Sequence, residues 1–170
     1  ASRQGAIPVV CDAASCTEGL HAMLAKAAAA HREYSRLVIE DATTYVAREV
    51  LPRLSVTTKL GSVAVHPTCS TTALGATSAL TALAAAVADE VFIPDEWGCC
   101  AFAGDRGMLH PELTASATAA ESAELTAADA VGSGFDAFVS ANRTCEIGMT
   151  RATGKPYRHV IEILEELTRP

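Results

Sequence analysis

Short apolar runs that end in polar residues alternate along the chain with longer segments of helical periodicity. The runs fall at 7–12, 36–40, 61–66, 90–94 and 135–140. Runs of this length are typical of buried parallel strands, and the segments between them are long enough for crossover helices. Because this alternation favours a parallel sheet with right-handed crossovers, the sequence predicts an α/β fold with a parallel sheet of about five strands and flanking helices.

Local sequence patterns predict where the helices begin and end. Ser15 is predicted to cap the first helix, with Glu18 at the capping-box spacing. Asp41 is predicted to cap the second helix, which Pro52 should end or kink. The later helices are expected from Thr71 or Thr72 to about Ala88, from Pro111 to about Ala130, and from Tyr157 to Thr168.

Composition limits the classes of protein to which the chain can belong. At 170 residues it is long enough for one domain with a buried core, and its 49% hydrophobic content is that of a globular protein. A net charge of -7 without a basic stripe argues against nucleic acid as a partner. The longest apolar stretch, 79–88, is far shorter than the roughly 20 residues of a membrane span, and it is predicted to be a core helix.

The chain has six cysteines, and each lies at or just past the carboxyl end of a predicted strand. They are Cys11, Cys16, Cys69, Cys99, Cys100 and Cys145. In a parallel α/β sheet this edge is where ligands bind, and the helix amides there favour the thiolate form that holds iron or zinc. Since disulfide frameworks belong to small secreted domains, we predict a metal or redox role for the thiols. Cys11 lies on its strand and is equally consistent with packing.

Cys99 and Cys100 are adjacent and lead into a glycine-rich loop. Neighbouring side chains of an extended chain point in opposite directions, so both thiolates can serve one centre only where the backbone turns. Gly98, Gly104 and Gly107 supply the freedom to turn. A strained disulfide between the two cysteines is the alternative, and zinc is the rival metal.

The turn that contains Cys16 recurs 129 residues later around Cys145. Both copies have a strand end, a hydroxyl residue, the cysteine, two further residues and a glycine, which is Gly19 or Gly148. The two glycines are expected to let each helix pack close to the sheet. The repeat predicts that the chain, 1–170, is one cysteine-rich domain cut from a longer polypeptide. Within it, 1–60 would be the end of a first repeat and 61–170 a full second repeat.

Three motifs together resemble the cysteine-rich CCG domain. They are His66-Pro67-Thr68-Cys69, the segment Gly98-Cys99-Cys100 with Ala103-Gly104-Asp105-Arg106-Gly107, and Ser140-Ala141-Asn142-Arg143-Thr144-Cys145-Glu146-Ile147-Gly148. This domain occurs in the cysteine-rich component of heterodisulfide reductases, in the iron–sulfur components of glycolate oxidase and lactate utilisation systems, and at the C-terminus of FAD-linked D-lactate dehydrogenases. The resemblance is closest to the last group and covers nearly the whole chain.

The resemblance implies an iron–sulfur cluster of the [4Fe–4S] type. Its implied ligands in the second repeat are Cys69, Cys99, Cys100 and Cys145. Two positions depart from the family pattern: Ala101 replaces a glycine, which is expected to tighten the loop, and Asn142 replaces a cysteine. Cys16, the first-repeat equivalent of Cys145, would then be either an orphan thiol or the replacement for the ligand lost at Asn142, and we favour the replacement.

The function implied by the resemblance is electron relay from a flavin to a quinone or cytochrome acceptor. The chain would belong to an FAD-linked 2-hydroxyacid oxidoreductase of the D-lactate or glycolate type, with FAD in an upstream domain of the same polypeptide. The 170-residue chain alone should then be inactive. In the heterodisulfide reductases, the resemblance implies a thiol-reducing centre instead. The expected location is cytoplasmic, and peripheral attachment to the inner membrane face is compatible with this function.

The rival hypothesis from another class is a non-catalytic interaction module stabilised by zinc or disulfides. His66 is interpreted as a satisfied loop residue, and the alternatives are that it orients Cys69 or donates to a cluster sulfur. Hydrolase and nucleotide-binding functions are not supported, since the sequence has no serine nucleophile elbow, phosphate loop or His-Glu-x-x-His motif.

Overall fold

The structure, a computed structural model, describes residues 2–131 and 133–169. Within these ranges, six strands form two parallel sheets that are flanked by helices. The strands are β1 (Val9–Cys11), β2 (Ile39–Asp41), β3 (Leu60–Val65), β4 (Ala88–Phe92), β5 (Ala137–Ser140) and β6 (Tyr157–His159). The predicted α/β class is therefore confirmed.

Helices connect the strands and cover the main sheet. They are α1 (Ala14–Ala30), α2 (Ala42–Tyr45), α3 (Cys69–Ala73), α4 (Thr77–Val87), α5 (Arg106–Leu109), α6 (Pro111–Ala117), α7 (Ala119–Asp129), α8 (Arg143–Thr153) and α9 (Val160–Thr168). Short 3-10 turns lie at Arg32–Arg36 and Leu51–Arg53, and a wider π turn at Val46–Val50 continues α2. In the part of the chain that the structure describes, none of the helices combines the length and apolar character needed to cross a membrane.

The main sheet has four strands in the order β4-β3-β5-β6, and all neighbouring strands are parallel. β3 and β5 occupy its centre, with Val63 opposite Ala137. β6 pairs with β5, so that Ser140 lies opposite His159. Because the strands are parallel, the carboxyl ends of β3, β4 and β5 meet at one edge of the sheet.

Helices pack on both faces of this sheet. Val63 and Val65 of β3 are fully buried against the face covered by α4 and α9, where Leu80 and Leu164 pack. Ala64 points to the opposite face, which is covered by α7 and α8. A strand that lies between two helical layers is buried on both faces, and this explains why its sequence is a nearly continuous apolar run.

The second sheet is small and contains only β1 and β2, with Val9 opposite Ile39. The sequence predicted these two runs as part of one sheet of about five strands, and the structure separates them. Each strand is three residues long, and Val9 and Val10 are 45% and 42% exposed. The two runs therefore lack the buried length of β3, and they pair with each other.

The predicted caps have different outcomes. Asp41 caps α2 as expected, since its carboxylate accepts from the backbone N–H groups of Thr43 and Thr44 at 3.0 and 3.3 Å. Pro52 lies in the last 3-10 turn, and the helical segment ends one residue later. Ser15 is not a cap: α1 begins after Ala13, which makes no side-chain capping bond.

Three predicted helices are interrupted or shortened. The helix expected from 71 to 88 is divided into α3 and α4 at Gly75, which has a φ of 69°. The helix expected from 111 to 130 is divided at Thr118. The last one begins at Val160, because Tyr157–His159 forms β6 instead. A three-residue strand is too short for alternation to be recognised in a sequence.

Candidate metal centre

Four cysteines and a histidine lie at the carboxyl edge of the main sheet. His66 follows β3 directly, and Cys69 begins α3. Cys99 and Cys100 lie in the loop after β4, and Cys145 lies in the first turn of α8 after β5. The predicted placement of these cysteines at one edge is confirmed, whereas metal binding by them stays a prediction.

Cys100 and Cys145 form a buried pair. Each residue is 3% exposed, and their Sγ atoms are 2.9 Å apart. The contact with Cys145, helped by His66 and the Phe102 backbone N–H, outweighs burial and lowers the pKa of Cys100 to about 5. The Cys100 sulfur and then burial raise the pKa of Cys145. At neutral pH the pair therefore holds one proton, which Cys145 donates to the Cys100 thiolate.

His66 and Glu121 form a second buried pair next to these thiols. Nδ1 of His66 donates to the two carboxylate oxygens of Glu121 at 2.8 and 3.0 Å. Burial favours a lower pKa for His66, but the Cys100 thiolate and the Glu121 carboxylate outweigh it and raise this pKa to about 9. In the metal-free protein the imidazole is therefore a cation between two anions.

Cys69 and Cys99 are exposed, in contrast to the buried pair. The pKa of Cys69 is raised, mainly because its sulfur is partly buried and also because Cys99 lies next to it. Cys69 also contributes to the raised pKa of Cys145, so the exposed and buried thiols lie within electrostatic reach of each other. The site thus has two sulfurs at the surface and two in the interior, a difference in depth that the sequence did not predict.

The loop around Cys99 and Cys100 turns through left-handed backbone conformations. Ala101 and Ala103 have φ angles of 52° and 44°, and Gly104 has 71°. The Ala101 N–H donates to Cys99 Sγ at 3.4 Å. A left-handed conformation costs a residue other than glycine about 1–2 kcal/mol, so the two alanines are strained. The glycine that the CCG pattern has in place of Ala101 would take this conformation without that cost.

Gly107 provides a close approach that holds this loop in place. A Cβ at this position would lie 2.5–2.9 Å from three atoms of Phe102, including its Cα, and Phe102 is fully buried. We expect Gly107→Ala to destabilise the reduced, metal-free protein by about 1–3 kcal/mol in urea unfolding, because the loop must shift. Gly98→Ala is the control, since beyond its chain neighbours none of the described residues lies within 4 Å of a Cβ built at this position. Equal losses in the two variants would contradict the close-packing argument.

Cys16 and Cys11 differ from the other four cysteines. Cys16 is exposed in the first turn of α1. The preceding residue, Ser15, donates to Asn142 Oδ1 at 3.1 Å, and Asn142 Nδ2 donates to Cys145 Sγ at 3.7 Å. These bonds bring the start of α1 beside the site, and the ligand role of Cys16 stays a prediction. Cys11 ends β1, and its thiol donates to nearby backbone.

The two cysteine turns share their local geometry but not their packing. Ala13 and Asn142, which precede α1 and α8, are both extended, with ψ angles of 120° and 121°. The expectation that both glycines allow close packing on the sheet is wrong. Apart from its own helix, no part of the described chain lies within 4 Å of a Cβ built at Gly19, whereas one at Gly148 would meet Thr114 at 3.3 Å, in α6 rather than the sheet. The division into repeats stays a prediction.

One set of side chains is compact enough to bind a metal ion. A ring nitrogen of His66 and the sulfurs of Cys100 and Cys145 all lie within 4.8 Å of one another. Thiolate and imidazole are donors that suit both zinc and iron–sulfur centres. Two thiolates on one tetrahedral metal are about 3.8 Å apart at bond lengths of ~2.3 Å, so binding requires the Cys145 proton to leave and the sulfurs to separate. The types of the donor atoms and their proximity therefore suit a bound metal ion.

Glu121 is a residue of this candidate site that the sequence analysis missed. It lies 55 residues from His66, and a glutamate on a helix usually indicates a solvated face. A weak signal was present, because Glu121 is one turn before Leu125, and both are buried on the same face of α7. His66 lies in the loop after β3, and its interpretation as a satisfied loop residue holds for Nδ1, whereas Nε2 has no hydrogen bond of good geometry among the described residues.

A cavity of about 810 Å³ lies away from these cysteines, and they do not line it. It lies beside α9, and its lining includes Asp12, Arg143, Glu146 and His159. Comparison of the chain with protein-family models, with curated proteins and with solved structures found no match.

Proposed function

We propose that this domain is the iron–sulfur electron-relay part of an FAD-linked 2-hydroxyacid oxidoreductase of the D-lactate or glycolate type. The buried pair of Cys100 and Cys145, with Cys69 and Cys99 at the same sheet edge, is the observation that supports this most. These four thiols, joined by Cys16, would hold a [4Fe–4S] cluster. When bound, such a cluster takes up and releases single electrons.

The proposed partners follow from the same function. FAD in an upstream domain of the polypeptide would supply the electrons, and a quinone or cytochrome at the inner membrane face would receive them. On its own the chain should not oxidise D-lactate, since hydride acceptance requires the flavin.

The protonation states and exposure of the cysteines determine how the metal-free site would bind iron. Cys100 is already a thiolate at neutral pH because its pKa is lowered to about 5, so it binds without losing a proton. Cys145 must release its proton to solvent, since its pKa is raised. The exposed sulfurs of Cys69 and Cys99 are accessible to incoming iron.

Anaerobic reconstitution with ferrous iron and sulfide tests the proposal. We expect broad visible absorbance that bleaches on reduction, and about four irons per chain. Cys100→Ser should lose most of this absorbance, because it removes the buried thiolate. Cys11→Ser is the matched control and should keep it, since Cys11 lies on β1 and its thiol donates to the Ala13 carbonyl, away from the sheet edge that holds Cys100.

Two results would contradict the proposal. The first is stoichiometric zinc binding without iron uptake, which would favour the zinc-stabilised interaction module. The second is an equal loss of absorbance in Cys100→Ser and Cys11→Ser, which would indicate iron bound non-specifically to thiols.

A further inference from the structure

His66 has one ring nitrogen engaged and one without a partner. Its side chain is fully buried, and Nδ1 donates to both oxygens of Glu121. Nε2 is also buried and makes no hydrogen bond of good geometry among the described residues, although the Cys100 sulfur lies near the ring. Buried polar atoms are nearly always hydrogen-bonded, so an orphaned ring nitrogen requires an explanation.

The surroundings of the ring supply that explanation. A ring nitrogen of His66 lies within 4.8 Å of the sulfurs of Cys100 and Cys145. Since Glu121 occupies Nδ1, Nε2 is the nitrogen that remains for a third partner on the sulfur side. Histidines that bind metals nearly always donate their other ring N–H to a carboxylate or carbonyl, and Glu121 is such a carboxylate.

Glu121 itself is unusual for a residue on a helix. Its side chain is 2% exposed, and a buried carboxylate is costly unless it is paired. His110 and Glu112 form the same type of contact at 3.2 Å on the surface, with side chains 58% and 68% exposed. The surface pair is an exposed histidine–glutamate contact. The buried pair differs from it in its burial and in the two thiols that lie beside it.

We infer that His66 binds the metal of this centre through Nε2, so that the site is a mixed imidazole and thiolate centre, with Glu121 as the positioning residue. The inference rests on the proposed function in that a metal occupies the site. It also accounts for Asn142, which stands at a cysteine position of the CCG pattern and donates to Cys145 Sγ at 3.7 Å. A neutral imidazole then supplies the ligand that the pattern has as a thiolate, and it takes the place proposed above for Cys16.

The expected electronic consequence is a more positive reduction potential. A neutral imidazole in place of a thiolate removes one negative charge from the first coordination sphere, and histidine ligation raises the potential of iron–sulfur centres. His66→Cys loaded with iron and sulfide should therefore have a lower potential than the parent chain, and an equal or higher potential would contradict ligation by His66.

The direct test is nitrogen hyperfine coupling in the full chain labelled with ¹⁵N-histidine. The chain is loaded anaerobically in two separate samples, one with iron and sulfide followed by reduction, and one with Co²⁺ alone. Pulsed electron paramagnetic resonance should show a directly bound ¹⁵N in both samples. The coupling should vanish in His66→Gln and persist in His110→Gln, the matched surface control. The parent spectrum decides the matter even if His66→Gln fails to fold.

The positioning role of Glu121 is tested by Co²⁺ affinity. Glu121→Gln keeps the shape of the side chain but removes its charge, and we expect a roughly 10–100-fold weaker affinity at unchanged stoichiometry. Glu112→Gln should leave the affinity unchanged. Equal affinities for Glu121→Gln and the parent would overturn the positioning role.

The outcomes separate this inference from the proposed function. An iron–sulfur cluster without ¹⁵N coupling would overturn the inference and leave the electron-relay proposal standing. Coupling in the Co²⁺ sample without any cluster formation would support the inference and contradict the electron-relay proposal. Failure of both metals to bind would overturn both.

Discussion

Glu121→Ala is expected to destabilise the reduced, metal-free protein by about 3–5 kcal/mol, because it removes one partner of a buried ion pair. His66 lies at 0% exposure with its Nδ1 2.8 Å from Glu121, and the carboxylate helps to raise its pKa to about 9. Without Glu121 the ring must either remain a poorly compensated buried cation or lose its proton. Either course reduces stability at neutral pH, and urea unfolding followed by circular dichroism measures the loss.

Glu112→Ala is the matched control for this prediction. Glu112 contacts His110 in the same way, but both side chains are more than half exposed. Exposed pairs contribute about 0–1 kcal/mol, so the control should change stability little. A loss in Glu121→Ala no larger than in Glu112→Ala would mean that the buried pair does not hold charge in the folded state.

Tyr157 provides a second readout of the Glu121 charge. Burial, and then the Glu121 carboxylate, raise the pKa of this buried tyrosine. Glu121→Gln should therefore lower the Tyr157 pKa while burial still keeps it above its usual value. Nuclear magnetic resonance of the Tyr157 ring, which separates it from the other tyrosines, compares its ionisation in the two proteins within the pH range where the chain stays folded.

The central strands of the main sheet, β3 and β5, were predictable because they are largely buried on both faces, whereas β6 was not predicted. The run that forms β3 contains Val63 and Val65 on one face and Ala64 on the other, all fully buried, and such strands are recognisable as apolar runs. The separation of β1 and β2 was not predictable in this way. Which strands share a sheet depends on tertiary packing, and both runs carry the same local pattern as β3.

The candidate site was predictable only in part. Strand ends determine which edge the cysteines occupy, so the placement of Cys69, Cys99, Cys100 and Cys145 followed from the parallel topology. The depth of each sulfur did not follow, because adjacent residues such as Cys99 and Cys100 differ in exposure through the turn at Ala101. Glu121 reaches the site from α7, and no local pattern relates it to His66.

The reduced, metal-free protein should keep a thiolate at Cys100 far below the pH at which thiols normally ionise. The contact with Cys145 and the His66 cation lower the pKa of Cys100 from 9.0 to about 5. Far-ultraviolet absorbance of the thiolate should therefore report one ionised cysteine per chain at pH 7. Cys100→Ser should lose this absorbance, and Cys11→Ser should retain it.

The same groups make stability depend on pH in a defined direction. The stability from Cys100 is complete above its unfolded pKa of 9.0 and is lost as the pH falls through about 5. The stability from His66 is complete below its unfolded pKa of 6.5 and is lost as the pH rises through about 9. Between pH 6.5 and 9 the two slopes oppose each other, so the pair contributes a nearly constant stability there.

Outside that window the stability of the metal-free protein should fall. Below pH 6.5 the contribution of His66 no longer changes with pH, whereas that of Cys100 still falls, so the free energy of unfolding decreases towards pH 5. Above pH 9.0 the unfolded chain ionises Cys145, while the raised pKa keeps this thiol protonated in the folded state. Urea unfolding at several pH values under reducing conditions measures the profile. Because Cys100→Ser removes the group responsible for the acid side, its profile should be flatter than that of the parent between pH 5 and 6.5, and identical profiles would show that Cys100 is not the ionised thiol.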